Sequence, residues 1–169
     1  GGNGGPLQRL ELKAIDRSRV GQSVPDSSAA VDIDGDGQVE VLTSMQDANG
    51  HPEVLLYKRT GDGRWERTSI GTVKRHKEEI EWVAVGRPFP ADPRVCVAAS
   101  VQHKNDGLVV FRLRQPGLSP FDAQNWQQGV AKEFAGQGLV FHDLTGDGTD
   151  ELIYATQAGN ELGILQAEK

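Results

Sequence analysis

The stretch AAVDIDGDGQVEVLTSM, residues 29–45, returns near the other end of the chain as LVFHDLTGDGTDELIYAT, residues 139–156. In both copies a short apolar run enters a loop of alternating acidic and glycine residues, and a second apolar run leaves it. The opening acids, Asp32 and Asp143, lie 111 positions apart, so half that distance gives a unit of about 55 residues. A weaker copy occupies the midpoint. There IEWVAVGRPFPADPRVCVAASV (80–101) keeps the order of strand, turn and strand without the acidic loop. Three units are therefore expected.

Working outward from the two loops, short runs rich in Val, Ile, Leu, Thr and aromatics recur about every dozen residues, punctuated by 21 glycines, and no stretch sustains a helical period. The spacing predicts strands at 7–15, 29–33, 39–45, 53–59, 64–70, 80–85, 94–101, 107–113, 126–134, 138–143, 151–157 and 161–166. An all-β chain follows. Four antiparallel strands per unit is a β-propeller blade, with an aromatic such as Trp65 or Trp126 near each outer strand. Those aromatics are equally accounted for by core packing. Residues 1–6 read as a linker, with blades over about 25–72, 76–135 and 136–169. The third blade stops without an outer strand, which the segment 7–15 is placed to supply.

Three blades do not close a ring that ordinarily needs four to eight. Two chains exchanging strands would make six, so a homodimer is the favoured assembly, and the remaining blades of a longer chain are the alternative.

The loops carry the chemistry. Asp32, Asp34, Asp36 and Glu40 present side-chain oxygens at loop positions 1, 3, 5 and 9, and Gln38 adds a backbone carbonyl at position 7. Asp143, Thr145, Asp147 and Glu151 repeat the pattern with the carbonyl of Thr149. Calcium takes six to eight oxygens, and glycine at positions 4 and 6 lets the chain fold round an ion. An EF-hand is excluded, because its position 12 must be Glu and here it is Thr43 or Tyr154. The same residues also make ordinary acidic β-turns. With one carboxylate fewer, the second loop is expected to bind more weakly than the first.

DIDGDGQVEVL (32–42) and DLTGDGTDELI (143–153) resemble the FG-GAP/VCBS repeats of integrin α-subunit propellers and of many bacterial secreted proteins. The resemblance spans most of residues 25–166, strongly at the two loops. It implies a structural calcium at the join of a blade's first and second strands, and an extracellular or periplasmic location. The middle loop, GRPFPADPR, lacks acids at the required offsets, so no metal is expected there.

Composition narrows the remaining roles. A net charge of −6 with scattered basic residues excludes a phosphate-tracking surface, and no apolar stretch is long enough for membrane insertion. Cys96, the only cysteine, sits in an apolar run and is expected to be buried. None of the four histidines lies in a catalytic motif. The cluster His76-Lys-Glu78-Glu79-Ile-Glu81 precedes an inner strand and is expected on the face opposite the acidic loops. His76, Glu79 and Trp82 form the candidate ligand face there. A calcium-stabilised binding or assembly module for protein or glycan ligands is the leading expectation. Part of a sugar lyase or hydrolase with a site near His76, and a purely structural repeat scaffold, are the alternatives.

Overall fold

The structure, a computed structural model, describes residues 27–74, 79–89, 94–101, 107–132, 136–156 and 161–166. The strand expected at 7–15, and His76, lie outside the described residues. The described chain is all-β, with a single 3-10 turn at Ala123–Asn125. Among these residues no helix is long and apolar enough to cross a membrane.

The strands form three consecutive antiparallel sheets. The first contains β1 (Ser28–Val31), β2 (Glu40–Gln46), β3 (Pro52–Arg59) and β4 (Trp65–Thr72), paired in chain order. The second contains β5 (Ile80–Gly86), β6 (Cys96–Val101), β7 (Leu108–Leu113) and β8 (Trp126–Lys132), again in chain order. The third has β9 (Gly136–His142), β10 (Glu151–Thr156) and β11 (Glu161–Leu165). Chain-order pairing follows from short connections, because a tight turn joins only antiparallel neighbours. The β2–β3 hairpin turns at Asp47–Gly50, where the Gly50 N–H donates to the Asp47 carbonyl and Gly50 takes φ 79°.

Side-chain alternation decides what each sheet covers. On β6, Val97, Ala99 and Val101 face the first sheet, joining Leu42, Val54, Leu56, Ile70, Phe111 and Trp126 in the larger core cluster. Ala98, on the other face of β6, belongs with Leu108, Leu152, Leu139, Phe141 and Leu165 between the second and third sheets. The second sheet is thus a filling between two others, and every residue of β6 is buried. The apolar run that surrounds Cys96 reflects burial on both faces.

Contacts between sheets are close enough to require glycine. A Cβ on Gly71 of β4 would lie 2.2 Å from the Phe111 ring, and one on Gly86 of β5 would lie 2.3 Å from Phe141. Polar links add register between sheets: the Ser44 hydroxyl donates to the Ile80 carbonyl at 2.9 Å, and the Val83 N–H donates to the Ser27 hydroxyl at 3.1 Å. Buried Trp126 opens β8 and donates its indole N–H to the Pro120 carbonyl at 2.9 Å, which satisfies the one polar atom of its ring.

The third sheet differs from the first in what it leaves open. Val140, Leu162 and Ile164 are 50%, 77% and 54% exposed. The register sets Val140 and Ile164 on either side of Ile153, and Leu162 beside Ala155, on one face of the sheet. Counting from the two acidic loops, Ile153 occupies the position of Leu42, which the first sheet buries against the second.

Candidate metal centre

The first acidic loop joins β1 to β2, and its shape is set by carboxylates that cap its own backbone. Asp32 accepts from the N–H groups of Gly35 (Oδ1, 2.8 Å) and Gly37 (Oδ2, 3.0 Å). Asp34 Oδ1 accepts from Asp36 N–H at 3.2 Å, and Asp36 Oδ1 from Gln38 N–H at 2.8 Å. Gly35 and Gly37 take φ of 77° and 85°, a region a side chain resists, so glycine at loop positions 4 and 6 is a steric requirement. Glu40, the first residue of β2, points back beneath the loop and accepts from Ile33 N–H at 3.1 Å through Oε2.

The second loop, between β9 and β10, has the same conformation. Asp143 accepts from Gly146 (2.7 Å) and Gly148 (2.8 Å), Asp147 from Thr149 (2.9 Å), and Glu151 Oε2 from Leu144 (2.8 Å). Gly146 and Gly148 take φ of 74° and 85°. Several backbone donors, Gly148 N–H foremost, hold the Asp143 carboxyl below the usual carboxylate range.

The two loops differ in how many acids converge. Asp32, Asp34 and Glu40 bring carboxylate oxygens within 4.8 Å of one another, the one such group of three acids among the described residues. Thr145 replaces the second acid of that triad in the other loop. Asp36 and Asp147 stand apart as caps for the backbone of Gln38 and Thr149.

Glu40 carries the sharpest sign of a ligand site. Its side chain is fully buried, and its Oε1 has no hydrogen-bond partner. Burial pushes its carboxyl up, assisted by Asp34 and Asp36 and opposed by the Ile33 N–H and Lys58. A buried carboxylate oxygen without a donor costs the desolvation of a charge unless a cation meets it. The converging donors are all carboxylate oxygens, the preference of a hard divalent ion. These residues fit such an ion.

Lys58, on β3, was not singled out by its sequence context, yet it contacts this loop directly. Its Nζ lies 2.7 Å from Asp34 Oδ2, 2.8 Å from Asp36 Oδ2 and 3.9 Å from Glu40 Oε1. It also sits 4.6 Å from the centre of the Phe121 ring. Hydrogen bonding to Asp34 and Asp36 raises the lysine's pKa, and Lys58 in turn lowers that of Asp36. The signal was present in the sequence: folding the β2–β3 hairpin about Asn49 sets Glu40 opposite Lys58.

The candidate ligand face lies elsewhere. Glu79 directly precedes β5, whose first residue, Ile80, is bonded to Ser44 near the end of β2 remote from the acidic loop. At the other end of β5, Arg87 and Asp150 exchange backbone and side-chain bonds beside the second loop. Glu79 therefore lies at the opposite end of the sheets from the acidic loops. Trp82, on the same strand, is 42% exposed. His142 ends β9 beside Asp143, at the loop end, and is exposed. No protein-family model and no curated protein matches the chain.

Proposed function

We propose that the chain is a run of three β-propeller blades, of the FG-GAP/VCBS kind that its loops resemble, stabilised by calcium and serving as a binding and assembly module. Three successive sheets in chain order, with β1, β5 and β9 as neighbouring first strands, support the blade reading. The observation that carries the metal is the buried Glu40, whose Oε1 has no hydrogen-bond donor and whose carboxylate converges with those of Asp32 and Asp34. Calcium would be held by Asp32, Asp34, Glu40 and the neighbouring loop oxygens. It would supply charge neutralisation that ties β1 to β2, with no chemistry on a substrate.

The third sheet supports an assembly role. Its face around Ile153 is apolar and open, whereas the corresponding face of the first sheet is covered. A second copy of the chain, or further blades, would cover it and complete the ring. Protein or glycan recognition is assigned to the end of the sheets bearing Glu79 and exposed Trp82. A module of this kind suits an extracellular or periplasmic setting, where calcium reaches the levels that low-affinity loops need.

The test is a pair of melting curves, in calcium and in excess chelator, read together with light scattering. Calcium at a hundred times its dissociation constant adds about 2.7 kcal/mol, a shift of several degrees. Identical melting with and without chelator overturns the metal reading. A stable monomer at high concentration overturns the homodimer.

A further inference from the structure

The two loops share a backbone but not the residue that faces the glutamate at loop position 9. One step beyond the Val41–Tyr57 pair, Glu40 meets Lys58. One step beyond the Leu152–Leu165 pair, Glu151 meets Gln166, whose Nε2 donates to Oε1 at 3.4 Å. A charged side chain thus stands in the first loop where a neutral one stands in the second.

We propose that Lys58 is a tethered cation that competes with calcium for the first loop and sets its affinity. The proposal rests on the calcium reading above. Asp34 belongs both to the converging triad and to the grip on Lys58, through Oδ2 at 2.7 Å. An ion that binds Asp34 must share that carboxylate with the ammonium or displace it. Asp36 draws the lysine outward at 2.8 Å, so the ammonium remains 3.9 Å from Glu40 Oε1 and leaves that buried oxygen without a hydrogen bond. Lys58 therefore neutralises the loop in part while leaving its deepest donor to an arriving ion. The Phe121 ring, 4.6 Å from Nζ, gives the ammonium a second favourable contact.

Counting charges removes the advantage that carboxylate number at the ligating positions gives the first site. Four carboxylates in the first loop, less Lys58, leave −3. In the second loop Asp143, Asp147, Asp150 and Glu151 beside neutral Gln166 give −4, with Asp150 turned to the Arg87 N–H. Lys58 thus offsets the acid that the first loop carries at position 3, where the second has Thr145, and the first loop has no electrostatic advantage in the intact chain.

The experiment is calcium titration by calorimetry in an Asp143→Ala background, which isolates the first loop, with and without Lys58→Gln. Lys58→Gln copies the second loop's residue and is expected to tighten calcium binding about tenfold, equivalent to about 1.4 kcal/mol, at unchanged stoichiometry. The reciprocal change, Gln166→Lys in an Asp32→Ala background, is expected to weaken the second loop by a similar factor and guards against misfolding of the first variant. Calcium binding that is present but indifferent to both substitutions overturns the role of Lys58 alone. Absence of binding with either residue at position 58 overturns the calcium reading and this inference with it.

Discussion

Gly86→Ala probes the seam on which the stacking of sheets depends. A methyl carbon at Gly86 would lie 2.3 Å from Phe141 Cγ, 2.4 Å from its Cβ and 2.7 Å from its Cδ1. Carbon atoms pack best at about 3.5–4.0 Å, so more than about 1 Å must be found. Rotating the Phe141 ring cannot provide it, because its Cβ is fixed to the backbone of β9. The third sheet must move as a body, which opens the cluster formed by Leu139, Phe141, Leu152 and Leu165 against Ala98 and Leu108. Overpacking of this kind costs about 1–3 kcal/mol. At about 2–4 °C per kcal/mol for a chain of this length, the melting temperature should fall by roughly 2–12 °C. Calorimetry of Gly86→Ala should be set against Gly129→Ala, on β8, where a Cβ meets nothing within 4 Å. That control should be neutral or gain up to about 1 kcal/mol from a stiffer unfolded chain. Equal melting of the two variants would refute the close approach of β5 and β9.

Other substitutions test other parts of the structure. Trp126→Phe leaves the buried Pro120 carbonyl without its indole donor and should cost about 1–3 kcal/mol in urea unfolding. Thr145→Asp restores the missing acid of the second loop and should tighten calcium binding there, measured by titration in an Asp32→Ala background. Asp47 is held below its usual pKa, first by the His51 N–H and also by the Asn49 N–H. Its native form binds protons less readily than the unfolded chain, so its contribution is present above about pH 4 and fades as pH falls through the lowered native value. Melting of the parent and of Asp47→Asn should therefore differ at neutral pH and converge in acid.

The strands were legible because their apolar runs are bounded by turn residues, and because a chain with so many short connections has few alternatives to antiparallel neighbours. The loops were legible from spacing alone: Asp32 to Glu40 and Asp143 to Glu151 fold alike because the same glycines occupy the same left-handed positions. Carboxylate count at the ligating positions, however, leaves out part of the charge at the site. It does not include the ammonium brought in by β3, since that residue lies across a hairpin and its contact with the loop depends on register. Nor did composition distinguish Leu42 from Ile153, two apolar residues at equivalent positions. Only the placement of the sheets separates a covered face from an open one.

Burial of β6 on both sides makes its first residue an internal clock. Cys96 is the only sulfhydryl of the chain and is fully buried. It pairs with Gly86 and shares the face of Ala98, toward the third sheet. A thiol reagent can reach it only when that sheet swings away or the whole chain opens. The third sheet is held by the smaller of the two clusters, so labelling should run ahead of global unfolding, and its rate should slow when a further sheet or a second chain is clamped over the exposed face. The sulfur thus times the detachment of one sheet without any engineered probe.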